Sequence, residues 1–133
     1  MQFFPYFIGF LTVIFLALQF YPYFKLRAAR GKNVPSVVGV LNDTQQQLSR
    51  LLYYFMAPKC GMCKNITPIV DELIKQRKDV IRIDASQNQQ LARSFSVMGT
   101  PAFVLVDNGV IEKVKLGGMN KKNILKMLDA PND

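Results

Sequence analysis

The sequence predicts an α/β domain with a mixed central sheet flanked by helices, preceded by one transmembrane helix. Three observations carry this. The chain of 133 residues opens on a stretch without a charged side chain, Phe3 to Phe24. From Ser36 onward, short apolar runs of strand length alternate with segments of helical periodicity. The only cysteines, Cys60 and Cys63, fall where one such run gives way to a helical pattern.

The opening stretch comes first. As a helix, Phe3–Phe24 rises about 33 Å, enough to cross a hydrocarbon core. Tyr6, Tyr21 and Tyr23 lie near its ends, where amphipathic rings favour the headgroup layer. Pro5 and Pro22 also lie near the ends, where they disturb the helix least. A cleaved signal peptide is the competing reading. It would want a basic leader, a shorter apolar core and a small-residue cleavage site, and this stretch begins without Lys or Arg. Residues 1–24 are therefore expected to be a retained anchor and 25–35 a basic linker. Lys25, Arg27, Arg30 and Lys32 crowd the carboxyl side of the anchor, which by the positive-inside rule places the following domain in the cytoplasm. The opposite, periplasmic face is the alternative, as would follow if these cations only solvate a linker or touch headgroups.

These four cations supply half of the formal charge of +8. The remainder is diffuse and does not interleave with exposed aromatics, so nucleic acid is not an expected partner. The chain has no histidine, which removes Cys-His and Ser-His-Asp catalysis and His-ligated metals together. Two cysteines cannot close a four-ligand zinc site within one chain; a metal would need a pair from each of two chains. A purely structural disulfide over so short a loop would constrain the unfolded chain very little.

Through residues 36–133, each element has its own signal. Ser36–Leu41 reads as a first strand, weakened by Gly39. Asn42-Asp43-Thr44 offers helix caps before a brief helix, Gln45–Arg50. Leu51–Met56 is apolar on both faces, as befits a central strand covered on both sides. A helix from Cys60 to about Gln76 carries the stripe Ile66, Ile69, Val70, Leu73 and Ile74, with Pro68 inside it. Asp79–Asp84 is a second β run, and Gln87–Ser94 a polar helix with Leu91 and Phe95 facing inward. Ala102–Val106 is a strand, and Asp107-Asn108-Gly109 a hairpin turn of the kind that takes positive φ. Val110–Leu116 returns as an edge strand, its Glu112, Lys113 and Lys115 discouraging edge pairing. Gly117-Gly118 ends it, and Asn120 caps a last helix docking through Ile124, Leu125 and Leu128. The crossovers are expected to make parallel pairs and the hairpin an antiparallel one.

The chemistry concentrates at Cys60-Gly61-Met62-Cys63. At the start of a helix this spacing brings both sulfurs to the first turn, close enough for a small reversible disulfide ring. The free amides of the helix N-terminus and the charge of Lys59 favour thiolate, the species that attacks disulfides.

From Ser36 to its end the chain resembles the thioredoxin family. The features that carry this are a C-x-x-C between strand and helix, Pro68 five residues after Cys63, Gly99-Thr100-Pro101 before a later strand, and a glycine pair ending the hairpin. The resemblance implies a thioredoxin-like fold and a protein-disulfide oxidoreductase needing no cofactor beyond its own cysteine pair. It implies an exposed nucleophile at Cys60, a buried resolving thiol at Cys63 and a cis peptide at Pro101. Backbone pairing of a substrate strand at Thr100 follows, with Gly99 and Met62 beside it. Its partners would be a protein disulfide, a thiol donor such as a thioredoxin-reductase-like system or a membrane thiol carrier, and the lipid bilayer. The chain departs from the family in three places. Lys59 stands where Trp is usual, the middle pair is Gly-Met rather than Gly-Pro, and a buried carboxylate–lysine pair is replaced by Tyr54 and Val80. Losing both charges together makes physical sense, since a lone buried charge is costly whereas removing a pair is often neutral. Tyr54 is expected to pack the core, with its hydroxyl seeking a partner near Cys63. Another class stays open: an interaction subunit or assembly factor of a membrane complex, offering Met62 and Met98 as an adaptable apolar surface.

Overall fold

The computed structural model describes residues 4–34 and 41–131, the side chains of residues 4, 5, 22, 25 and 26 excepted. Its elements are α1 (Phe4–Ala29), α2 (Asp43–Gln46), β1 (Arg50–Met56), α3 (Cys63–Gln76), β2 (Val80–Asp84), α4 (Gln89–Ser94), β3 (Ala102–Asp107), β4 (Val110–Leu116) and α5 (Lys121–Asp129). The first strand expected at 36–41 lies, but for Leu41, outside the described residues.

The sheet runs β2-β1-β3-β4, so β1 is central, as its two apolar faces require. Leu51, Tyr53 and Phe55 face one core with Phe95 and Val97; Leu52 and Tyr54 face another with Ile66, Val70 and Leu73 of α3 and Ile124 and Leu128 of α5. β1 and β2 are parallel, joined by α3. β3, however, runs antiparallel to β1 although it too follows a helix, which corrects the expectation of parallel crossovers. The reason is length. α4 has 6 residues and rises about 9 Å, too little to carry the chain back past the sheet. β3 therefore starts at the pole where β2 ended.

Local chemistry sets several boundaries. Asn42 caps α2 in a capping box with Gln45, but α2 stops at Gln46 and Arg50 already belongs to β1, so the helix expected over 45–50 is shorter. Asn108 (φ 48°) and Gly109 (φ 75°) make the tight β3–β4 turn, where a positive φ at both central residues matches strand twist. Asn120 caps α5 by accepting from the Asn123 amide at 2.8 Å.

α1 is 26 residues long and passes through the first half of the stretch read as linker. Its side chains are described without a break from Tyr6 to Tyr21; among the described residues, no helix is long and apolar enough to cross a membrane. The rest of the expected linker is no free tether. Asn33 bridges Val110 in antiparallel fashion. The Val34 amide donates to Gly109 O at 2.8 Å and the Ile111 amide to Lys32 O at 3.0 Å. Polar, glycine-containing 30–34 shows no strand pattern, so this pairing was invisible to periodicity.

At the pole where β1 begins, Arg50 gathers several ends of the chain. Its guanidinium donates to Asp107 Oδ2 at 3.0 Å, to Leu128 O at 2.9 Å and to Ala130 O at 2.8 Å. Glu112 Oε2 adds a charge contact at 3.2 Å, without hydrogen-bond alignment. Arg50→Ala strands two carboxylates and two carbonyls at once. The expected cost is about 2–3 kcal/mol, below that of a fully buried pair because the site is partly wet. The urea midpoint of the protein measures it, and an unchanged midpoint would show the cluster to be decorative.

Candidate active site

The site forms where β1 delivers the chain to α3. After Met56 the backbone turns at 57–60, with the Cys60 amide donating to Ala57 O at 3.1 Å. Cys60 therefore stays outside the helix, which starts at Cys63 and not, as expected, at Cys60. The two cysteines are joined in a disulfide with Cα atoms 5.2 Å apart. Cys60 is half-buried, while Cys63 is only 1% exposed. The Cys63 amide donates to Cys60 Sγ at 3.2 Å. That amide belongs to the first turn of α3, so the helix N-terminus is aimed at the outer sulfur. In the reduced protein the same donor would stabilise a Cys60 thiolate.

Pro101 lies beside this pole at the start of β3, buried, with a cis Thr100–Pro101 bond. Thr100 is half-buried; Met98 and Gly99 are exposed. These three residues line an open groove with Ala57, Ser86 and Val97. Met62, 58% exposed, and exposed Lys59 flank Cys60. On the other side a cavity of about 390 Å³ is lined by both cysteines, Ala57, Lys64, Thr67 and Asp71 among others. Cys60 lines the second of these recesses, which shares Ala57 with the first.

Tyr54 and Val80 are both buried in the core under α3. The Tyr54 hydroxyl finds its partner in Thr67 Oγ1 at 3.0 Å, one turn along α3 from Cys63. Burial raises the Tyr54 phenol, with the Thr67 bond opposing. Sequence reasoning missed Thr67, Asp71 and Arg82. Thr67 and Asp71 stand four and eight residues after Cys63, on the same helix face. Asp71 holds Arg82 through contacts of 2.6 and 2.8 Å. The i+4 ladder was the available signal.

On the other face of β1, burial pushes the Tyr53 phenol up to about 12. Because the unfolded phenol ionises near 10, folding excludes the phenolate. This stabilisation is whole below pH about 10 and lost as pH rises towards about 12. Tyr53→Phe should move the alkaline unfolding edge, followed by circular dichroism, to higher pH. An unmoved edge would mean that another group governs it.

Comparison with known proteins agrees with this geometry. The family described as Thioredoxin matches residues 37–130. Thioredoxin of Bacillus subtilis is 30% identical over 78 residues, covering 56% of this chain and 75% of that one. Thioredoxin of Staphylococcus haemolyticus is 33% identical over 91 residues, covering 65% and 86%. Among solved structures, a mutant thioredoxin of Halobacterium salinarum superposes with a TM-score of 0.60 at 26% identity, covering 71% of this chain and 88% of that chain. The chain belongs to the thioredoxin family. Its cysteine pair occupies the active-site position, and it is a thiol–disulfide oxidoreductase of thioredoxin type.

Proposed function

We propose that this protein is a membrane-anchored oxidoreductase that reduces protein disulfides at the cytoplasmic face, with Cys60 as nucleophile and Cys63 as resolving thiol. The observation that carries the chemistry is the pairing of a half-buried Cys60 sulfur with the Cys63 amide, above a fully buried Cys63. Cys60 thiolate attacks one sulfur of a substrate disulfide, forms the mixed disulfide and expels the other sulfur as thiolate. Cys63 gives its proton to solvent and attacks Cys60 Sγ. The second substrate sulfur leaves, and Cys60–Cys63 is oxidised. Two electrons have passed to the substrate, and a dithiol donor restores them. Thr100, with Gly99, pairs the substrate backbone beside Pro101; Met62 offers it apolar contact; Lys59 favours the thiolate. Tyr54, bonded to Thr67, fills the place of a buried carboxylate, so the Cys63 proton leaves by way of water in the adjoining cavity. No cofactor takes part in these steps.

Anchoring is supported by α1 itself. Its apolar side chains stand open, among them Phe10 64%, Phe15 61% and Leu18 69% exposed, and so large an apolar surface calls for a lipid or protein cover. Orientation is supported by Lys25, Arg27, Arg30 and Lys32 after the anchor. Two assays test the proposal. Purified full-length protein, kept reduced by a dithiol donor, should reduce insulin disulfides. Carboxyl-terminal reporters active on one side only should score cytoplasmic. Lack of reduction would sink the chemistry. An external signal would overturn the orientation and point to disulfide exchange outside the cytoplasm.

A further inference from the structure

Cys63 has to lose a proton in the resolving step, and it does so almost wholly buried, 1% exposed. Burial by itself opposes its thiolate. Beside it lies a pair of hydroxyls. Thr67 stands four residues further along α3, on the same face, and lines the recess of about 390 Å³ that both cysteines line. Its Oγ1 is 3.0 Å from the Tyr54 hydroxyl, and among the described residues neither oxygen has another hydrogen-bond partner.

Two hydroxyls carry two protons and share one hydrogen bond, so one O–H is left over. Its place follows from burial. Tyr54 is fully buried, its ring centre 5.0 Å from that of Phe103, in one core with Leu52, Ile66 and Val70. A phenol proton turned anywhere but to Thr67 would be stranded in apolar surroundings. Tyr54 therefore donates and Thr67 Oγ1 accepts. The remaining O–H is that of Thr67, the member of the pair that lines the recess. A donor whose own oxygen already accepts a bond is polarised and bonds more strongly. Such a pair is no base, since burial raises the Tyr54 phenol. It can, however, give a hydrogen bond to a sulfur that becomes negative, which an ionised carboxylate cannot.

The charged groups around this site are few. Lys64 and Asp71 of α3 line the same recess, and exposed Lys59 precedes Cys60. Arg82 of β2 is paired with Asp71 through contacts of 2.6 and 2.8 Å, and the two act in opposite directions on Tyr54. Lys121 of α5 is bonded to Glu72. The strap from Val97 to Pro101 carries no titratable side chain. Asp71 is thus the one carboxylate that lines the recess, and it is already held by a guanidinium.

Building on the redox reading, we propose that Thr67, held by Tyr54, donates its hydroxyl to the Cys63 sulfur as the thiolate forms in the resolving step. In the disulfide this sulfur is bonded to Cys60; once Cys60 carries the substrate, it is released and free to meet Thr67. The thiol proton passes to water in the recess. The Cys63 thiolate attacks Cys60 Sγ and the bond from Cys60 to the substrate breaks. Its electron pair leaves with the substrate sulfur, which takes a proton from solvent. A donor here does the work of a base.

Full-length protein, reduced and mixed with an oxidised disulfide peptide, would be quenched in acid at millisecond intervals and its mixed-disulfide adduct quantified by mass spectrometry. Decay of the adduct reports the resolving step alone. Thr67→Val is expected to slow this decay about threefold or more at pH 7 and to displace its pH profile upward by about half a unit or more. The two proteins should converge once Cys63 is ionised in both. Thr67→Ser, which keeps the donor, should follow the wild-type profile. The double variant Tyr54→Phe, Thr67→Val leaves no hydroxyl unpaired and should reproduce the displacement should Thr67→Val alone fold poorly. Slowing by one factor at every pH would make Thr67 a packing residue and overturn the proposal, as would an unmoved profile. Asp71→Asn displacing the profile while Thr67→Val does not would overturn it too, the proton then going to the carboxylate. Adduct formation, the work of Cys60, should be unchanged in every variant. A wild type that neither forms the adduct nor reduces the peptide would bring down the redox reading and the proposal together, whereas an adduct with an unmoved profile removes the proposal alone.

Discussion

Cys60→Ser is expected to bring insulin reduction down to the uncatalysed background, whereas Cys63→Ser should still react once and stop. The asymmetry follows from exposure. Cys60 is half-buried and receives the Cys63 amide on its sulfur, while Cys63 is 1% exposed and is bonded to Cys60. Without Cys60 no thiolate meets the substrate. Without Cys63 the mixed disulfide forms and nothing resolves it. Incubating Cys63→Ser with a disulfide substrate should therefore yield a covalent adduct on a non-reducing gel, and Cys60→Ser should not. The reverse pattern would exchange the two roles. Turnover retained in Cys60→Ser would move the chemistry away from this pair altogether.

Phe95→Ala is expected to be the most damaging change in the core. Phe95 is fully buried and packs its ring against Tyr53 and Phe55, with centroids 4.8 and 5.5 Å away. Removing it leaves a cavity and costs about 3–5 kcal/mol, a large share of the roughly 5–15 kcal/mol that holds a domain together. The effect should reach the site. Phe95 closes α4, and the strap that follows it, Val97 to Thr100, forms one wall of the groove that shares Ala57 with the cysteine recess. Both the urea midpoint and kcat/KM for insulin should fall. A midpoint loss below about 1 kcal/mol would mean that the neighbouring rings collapse into the space.

Much of this fold was legible because local signals agreed with the global one. The double-sided apolarity of β1, the stripe on α3, the Asn-Gly turn and the Asn120 cap each named an element that is there. At the site, the exposure difference between the cysteines and the cis bond at Pro101 accord with what family resemblance implied. What remained hidden depends on partners distant in sequence. The direction of β3 follows from where β2 ends, not from any residue within β3. Thr67 became significant only when Tyr54 was seen to point at it. The docking of 31–34 is made almost entirely by backbone groups, which carry no side-chain signature. Cys60 lies outside α3 because the turn through Ala57 uses its amide first, and periodicity does not see an offset of three residues at a helix start.

The Arg50 cluster bears on the order in which the chain is made. Arg50 opens the central strand, yet its partners stand at Asp107, Glu112, Leu128 and Ala130, and β1 gains its second neighbour only with β3. While synthesis is under way, these four contacts of the residue that closes the far pole form late. An emerging chain therefore holds its central strand unpaired along one side until β3 has left the ribosome. If α1 is taken into a membrane early, the domain completes itself afterwards, already beside that surface. Premature termination before Leu128 would leave a full set of strands without their final clasp, a product suited to proteolytic removal rather than to slow, partial function.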